Sequence, residues 1–244
     1  MSRTVWITGA SRGIGRAAAL LFAEKGWQVG VNYLHSEGPA EDLCAHIRRA
    51  GGRALPLRGD VSVRADVEAM AARMQEEFGG IDALVNNAGI AGQRLFTDIT
   101  DAEWDRMVAV DLTGVFYCCR AVLPGMIHRK SGSIVNLSSM WGVTGGSCEV
   151  HYSAVKAGVI GLTKALAKEV GPSHIRVNCV APGVIDTEMN AALNDADRAA
   201  LGEETPLMRL GTPREAAQAI CFLAGEESSF ITGQVLSPNG GIVI

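Results

Sequence analysis

This 244-residue chain lacks three things: a large excess of charge of one sign, a long apolar run and a patterned set of cysteines. Each absence removes a class of function. Lys and Arg number 22 against 26 Asp and Glu, a formal charge of -4, so nothing electrostatic draws the chain to nucleic acid or to an anionic membrane. A membrane span needs roughly 20 mostly apolar residues, and no segment reads as one. The longest uncharged stretch in the middle of the chain, Ser131–Cys148, is full of Gly and Ser. Thr4–Thr8 already reads as a strand, so no removable leader is expected. Cys44, Cys118, Cys119, Cys148, Cys179 and Cys221 show neither Cys-x-x-Cys nor Cys/His ligand spacing. They read as free thiols of a reducing compartment, which implies a cytoplasmic protein without a metal site.

What is present is alternation. Short, β-branched runs recur at Thr4–Thr8, Gln28–Tyr33, Arg53–Arg58, Ile81–Asn86, Ser133–Ser138, Arg176–Ala181 and Gln234–Ser237. They are apolar on both faces, as parallel strands covered on both sides must be. Helical patterns fall between them, at Ile14–Lys25, Glu41–Ala50, Arg64–Phe78, Ala102–Arg129, Tyr152–Val170 and Arg214–Ala224. Right-handed crossovers then give an α/β fold, a doubly wound parallel sheet of about seven strands inside three α/β/α layers. No linker or repeat divides residues 1–244, so one domain is expected, with a loop or small helical lid at Gly183–Gly211. Ala157–Thr163 is uncharged all round, and Gly158 and Gly161 permit close approach. The sheet covers one face, and a second subunit is the expected cover for another, giving a homo-oligomer, dimer or tetramer.

The first strand runs into Thr8-Gly9-Ala10-Ser11-Arg12-Gly13-Ile14-Gly15 and then an apolar helix. Strand, Gly-rich turn and helix in this order form a dinucleotide site. The glycines let the backbone approach the pyrophosphate, whose charge meets the helix N-terminus. NAD usually needs a carboxylate at the end of the second strand, and Val29–Tyr33 has none. A 2'-phosphate would meet Asn32 and could draw on Arg12. NADP(H) is therefore favoured, with NAD(H) still open.

Tyr152 and Lys156 lie at i and i+4 on one helix face, after the fifth strand and its Ser138-Ser139 terminus. Strand C-terminal ends are where a doubly wound sheet binds ligands. A phenol titrates near pH 10, and a neighbouring ammonium favours phenolate and should lower that value. Ser139 could hydrogen-bond a substrate oxygen and hold it beside the tyrosine.

Thr8–Gly15, Asn86-Asn87-Ala88-Gly89, Ser139, Tyr152-x-x-x-Lys156 and Pro182-Gly183 occur in order and at suitable separations. Together they resemble the short-chain dehydrogenase/reductase family over essentially the whole chain, which implies a Rossmann fold. The resemblance implies Tyr152 as general acid or base, Lys156 binding the nicotinamide ribose and Ser139 orienting a carbonyl. It implies Gly9, Ser11, Arg12, Gly13, Ile14 and Gly15 around the pyrophosphate, and Asp60 and Val61 beside adenine. Asn87, Ala88 and Gly89 would support the sheet next to the cofactor, with Pro182, Gly183 and Thr187 on the carboxamide side. Asp60 and Thr187 could equally be plain caps. One departure is Asp111, where the family usually has Asn. The Asn main-chain carbonyl is thought to hold a water in a relay to Lys156; Asp111 keeps that carbonyl but adds a charge.

Within the family the chain is most similar to 3-oxoacyl-[acyl-carrier-protein] reductases, NADPH-dependent enzymes that reduce a ketone to a secondary alcohol on a carrier-bound thioester. A small-molecule carbonyl substrate is the other possibility. Glu149, in Ser147–His151, is similar to relatives that reduce an aminopentanone on elongation factor P, which makes a cationic ketone the alternative substrate. From a different class, a non-catalytic NADP(H)-sensing regulator would have little reason to keep Ser139, Tyr152 and Lys156 together. His128-Arg129-Lys130 reads as a docking patch for an acidic carrier or as a solvated helix end. Ile90–Phe96, Met140–Thr144 and Val184–Met208 are pocket candidates.

Overall fold

Parallel strands need long crossovers, and every strand of this sheet is followed or preceded by a helix that supplies one. The computed structural model describes residues 2–190 and 193–244. In chain order these residues form β1 (Thr4–Ile7), α1 (Gly13–Glu24), β2 (Gln28–Tyr33), α2 (Glu37–Arg49), β3 (Ala54–Arg58), α3 (Arg64–Phe78) and β4 (Ala83–Asn86). There follow α4 (Asp101–Val108), α5 (Gly114–Arg129), β5 (Gly132–Leu137), α6 (Met140–Thr144), α7 (Val150–Val170) and β6 (Ile175–Val180). Last come α8 (Asp195–Glu204), α9 (Pro213–Ala224) and β7 (Val235–Leu236). The sheet has the order β3-β2-β1-β4-β5-β6-β7, with all pairs parallel. Its order reverses between β1 and β4, and a doubly wound sheet opens its ligand crevice at that point.

Side-chain alternation splits the core in two. Val5 and Ile7 of β1 face a cluster with Phe22, Leu43 and Ile220, supplied by α1, α2 and α9. Trp6, between them, faces the opposite cluster with Met74, Met126 and Val159, supplied by α3, α5 and α7. That double coverage explains why the strands read as unbroken apolar runs.

Between α4 and α5 the chain does not break. Ala109–Thr113 forms a π-helical turn, so Asp101–Arg129 is one continuous rod with a widened turn near its middle. This rod corrects the sequence reading that nothing is long and apolar enough to span a membrane. By length and composition it qualifies, although nearly half of its most apolar window is buried in the protein. Tolerance of a few charges spread along the rod, rather than an uncharged run, is what the eye missed. Val115, Cys118, Val122 and Met126 are all buried against the sheet side, as in the core helix of a layered fold.

The stretch 183–211 is pinned at its base by a bridge between Ile185 and Gly211. Asp186 N–H donates to the Gly211 carbonyl at 2.8 Å. It carries α8, capped reciprocally by Asn194 and Asp197, and residues 191 and 192 lie outside the described residues. On α7, Val159 and Thr163 are buried towards the sheet while Ala157 and Gly161 are exposed, and a Cβ at Gly161 would meet nothing within 4 Å.

A buried polar chain fastens α7 to the sheet. Asn86 Nδ2 donates to Asn136 Oδ1 at 2.9 Å, Asn136 Nδ2 to Thr163 Oγ1 at 2.9 Å, and Thr163 Oγ1 to the Val159 carbonyl at 2.8 Å. Thr163→Val keeps the shape and orphans the Asn136 donor, which is expected to cost about 1–3 kcal/mol. Thermal unfolding of the two proteins checks this; an unchanged midpoint would remove the chain's structural role.

Candidate active site

The Gly loop is built from both sides of the reversal point. Thr8 Oγ1 accepts from the backbone N–H groups of Asn87 and Ala88, each at 2.9 Å, and Asn87 Nδ2 donates to the carbonyls of Thr8 and Gly9, also at 2.9 Å. The end of β1 and the turn after β4 are thereby one unit. Gly9 has φ +60, and a Cβ there would come within 2.8 Å of Ala88 Cα. At Gly15 a Cβ would lie 2.5 Å from Asn87 Nδ2 and 2.6 Å from the Gly9 oxygen. The backbone is therefore as close as glycine allows. Arg12, exposed and extended at the start of α1, supplies no side-chain cap, so the first amides of α1 stay available to an anion. Ser11 is buried and Ile14 half-buried within the same turn. This cradle fits a dinucleotide pyrophosphate.

Asn32 requires a correction. It is buried at the end of β2, with Oδ1 accepting from Gly9 N–H at 3.0 Å and Nδ2 donating to the carbonyls of Leu57 and Gly59 at 3.1 and 3.0 Å. Its own carbonyl accepts from Ala10 N–H at 2.8 Å. The amide is spent on bracing the Gly loop and offers nothing to a 2'-phosphate. Further along, Glu37 meets the Tyr33 hydroxyl at 3.5 Å, and the exposed Arg58 is paired in register with Tyr33.

Asp60, after β3, accepts from the N–H and hydroxyl of Ser62 at 2.8 and 2.6 Å and pairs with Arg106 at 3.2 Å. Burial pushes its carboxyl up, but these donors outweigh it and hold the group below the usual range. It organises a turn rather than capping α3, whose N-cap is Val63. Val61 is buried against Gly114.

The reactive set gathers at the end of β5. Ser139 Oγ accepts from Trp141 N–H at 3.2 Å and caps α6. Ser138 Oγ donates to the Lys156 carbonyl at 2.8 Å, locking α7 onto the strand. The Lys156 ammonium lies 5.5 Å from the Tyr152 ring centroid, donates to the Leu137 carbonyl at 3.2 Å and sits 3.0 Å from Asp111 Oδ2. Asp111 projects from the π-helical turn, fully buried, with Oδ1 accepting from Ile90 N–H at 2.9 Å. A Cβ at Gly89 would lie 2.6 Å from Asp111 Oδ2, so glycine makes room for the pair. Burial pulls the Lys156 pKa down, yet Asp111 and Tyr152 more than reverse this and the ammonium is stabilised.

The expectation of an acidified phenol is reversed. Burial raises the Tyr152 pKa above its ordinary 10.0; Lys156 and a hydrogen bond with Ser139 lower it, while Asp111 and Glu149 add to the rise. The net direction is up, with burial the largest cause and Asp111 offsetting part of the ammonium's field.

Gly183, after β6, donates to the Pro238 carbonyl at 3.2 Å, and the Pro182 carbonyl accepts from Met140 N–H at 2.9 Å, tying this turn to α6. Thr187 stands over the Gly loop, its methyl 3.5 Å from where a Gly13 Cβ would be, with only a 3.5 Å contact to the Ile185 carbonyl for its hydroxyl. The basic run 128–130 is not at this mouth. Arg129 donates to the Ile81 carbonyl at 2.6 Å, beside the starts of β4 and β5, so it lies at the opposite, N-terminal end of the strands. Glu149 accepts from Gln93 at 3.3 Å, a local contact. Sequence reasoning missed Thr8, Ser138 and Arg106 as supporting residues; Ser and Thr at strand ends carry no pattern that separates ties from surface.

Gly15→Ala is expected to weaken NADPH binding at least about tenfold with the fold kept, since a clash against backbone cannot be relieved by a rotamer. Calorimetric titration with circular dichroism as control measures it, and unchanged affinity would refute the cradle.

Residues 9–243 match a family described as Enoyl-(Acyl carrier protein) reductase. The chain is 40% identical over 242 residues to the 3-oxoacyl-[acyl-carrier-protein] reductase FabG of Staphylococcus epidermidis, covering 99% of each chain. It is 43% identical over 237 residues to the protein of that name from Vibrio cholerae, covering 97% of this chain and 95% of the relative. A crystal structure of 3-oxoacyl-[acyl-carrier protein] reductase from Brucella melitensis superposes with a TM-score of 0.92 at 41% identity, covering 98% of this chain and 90% of that one. With a seven-stranded parallel sheet and these relatives over nearly its full length, the chain belongs to the short-chain dehydrogenase/reductase family and is a nicotinamide-dependent oxidoreductase acting on a ketone or alcohol.

Proposed function

We propose that residues 1–244 form a single catalytic unit that reduces 3-oxoacyl thioesters on acyl carrier protein to 3-hydroxyacyl thioesters with NADPH, the segment 183–211 serving as the substrate-side loop. The observation that carries this reading is the gathering of Ser139, Tyr152 and Lys156 at the end of β5, beside a Gly loop with free helix amides. The names of the relatives support the substrate class.

The geometry and the family resemblance together support the following roles. Gly9, Ser11, Gly13, Ile14 and Gly15 hold the pyrophosphate on their backbone, while Asp60 and Val61 flank adenine. Asn87, Ala88 and Gly89 keep the loop in register, and Pro182, Gly183 and Thr187 close the carboxamide side. Lys156 binds the nicotinamide ribose, and Asp111 fixes Lys156. When bound, the cofactor supplies a hydride to the carbonyl carbon. Ser139 donates a hydrogen bond to the carbonyl oxygen, and Tyr152 delivers a proton to that oxygen. Tyr152 is protonated at neutral pH, the form that donation to the carbonyl oxygen requires. Preference for NADPH rests on Arg12, with Arg58 as a second cation near the end of β2. Asn32 contributes only through the loop it braces.

The exposed side of α7 at Ala157 and Gly161 is the natural seat for a second copy in a dimer or tetramer. A cationic ketone is not favoured, since Glu149 is engaged by Gln93 and these relatives are named for carrier-bound substrates.

Reduction is tested by following NADPH absorbance with 3-oxoacyl thioesters, cationic amino-ketones, sugars and steroids, NADH being run in parallel. Thioester turnover with NADPH is expected, and Tyr152→Phe should lower it about 10²–10⁴-fold without changing NADPH affinity. An active Phe variant, or turnover of amino-ketones alone, would contradict the proposal.

A further inference from the structure

A carboxylate and an amide of the same shape would do different things at position 111. Both can accept the Ile90 N–H that now reaches Asp111 Oδ1 at 2.9 Å, so both can anchor the loop after β4. Only the carboxylate brings a negative charge to within 3.0 Å of Lys156 in a place closed to water, with Asp111 at 0% and Lys156 at 5% exposure. In such surroundings the two charges act on their neighbours as a nearly neutral pair, and the attraction that a lone ammonium would exert on a phenolate is largely cancelled.

We propose that the Asp111 side chain is a positioning residue that sets the pH range in which this site works: by pinning and pairing the Lys156 ammonium, it keeps the proton on Tyr152 into more alkaline solution. This deepens the ketoreductase reading above and rests on it. The site then gives a proton to a carbonyl oxygen readily at neutral pH, and removes one from an alcohol only in more alkaline solution. In the reductive direction the phenol O–H bond breaks, the proton goes to the substrate oxygen, and the phenolate left behind recovers a proton from solvent.

The other groups around the tyrosine do not undo this. Glu149, in the turn before α7, bears on Tyr152 in the same sense as Asp111, while the Ser139 hydroxyl opposes it through a hydrogen bond. His151 adjoins it on α7 and is buried. The Cys179 thiol of β6 faces Lys156, but burial pushes its pKa up to about 12, so no second anion approaches from that side. The π-helical turn is what aims Asp111 inward, and Gly89 leaves room for the carboxylate.

The test compares wild type with Asp111→Asn, which removes the charge and keeps the acceptor, and with Asp111→Ala, which removes both. Reduction of a 3-oxoacyl thioester and oxidation of its 3-hydroxy product are each followed against pH. The phenol of the free protein is titrated by ultraviolet difference spectroscopy, Tyr152→Phe providing the background. In Asp111→Asn the phenol titration, the alkaline fall of reduction and the rise of oxidation are all expected about 1–2 pH units lower than in wild type. Coincident profiles in the two proteins would overturn the proposal, as would a shift seen in Asp111→Ala but not in Asp111→Asn. Should the variants fail to fold, the wild-type protein labelled with ¹³C at the tyrosine ring still decides. Tyr152 should remain a phenol past its ordinary pKa of 10.0, and phenolate formed below that value would overturn the role of Asp111. Absence of carbonyl turnover by wild type would instead refute the ketoreductase reading, while the phenol titration still reports on Asp111.

Discussion

Sealing an ammonium and a carboxylate together away from water is the constraint on which this site depends. Desolvating the two ions costs several kcal/mol each, and their attraction offsets this only when geometry is good and the remaining polar atoms are satisfied. Here Lys156 also reaches the Leu137 carbonyl, and Asp111 takes the Ile90 N–H. The end of β5, the turn after β4, α7 and the long central rod must therefore hold one mutual arrangement. Loss of one partner would leave an uncompensated buried charge, which typically costs about 3–5 kcal/mol. Tyr152, one turn before Lys156 on α7, inherits its position from that lock.

The cofactor cradle is tied to the same lock through β4. Asn87 grips the Gly loop while Gly89, two residues on, makes room for the ion pair. A single turn thus sets the spacing between the Gly-loop end and the Tyr152 end of the crevice. On the other flank, Asn32 joins the loop to β2 and β3. Reversal of strand order between β1 and β4 creates the opening, and these amides give it a fixed shape.

Much of this was legible in the sequence, for physical reasons that can be named. Strands covered on both faces must be apolar throughout, so Gln28–Tyr33 and the others could be placed within a residue or two. A Gly loop between strand and helix has few other uses, and Tyr152-x-x-x-Lys156 has to share a helix face. The misses concern where side chains point and how fields add. Nothing in Val110-Asp111-Leu112 announces a π-helical turn, because a hydrogen bond shifted by one residue leaves composition unchanged. The identity of Asn32 was plain but its inward direction was not. The acidified phenol failed because it counted the ammonium without burial and without Asp111, both of which need coordinates. For the basic run 128–130 the sequence left a docking patch and a solvated helix end both open, because it does not say which end of the sheet a helix end reaches.

On the proposed mechanism the ion-paired lysine holds the Tyr152 hydroxyl at the reacting carbonyl, above a nucleotide seated on the Gly loop. A crystal structure with NADPH and an unreactive 3-oxoacyl thioester analogue tests it most directly. The Tyr152 and Ser139 hydroxyls should both lie within hydrogen-bond reach of the analogue's keto oxygen, with the Lys156–Asp111 contact kept. A keto group bound away from residue 152, or an ammonium swung off Asp111 when the cofactor enters, would contradict it.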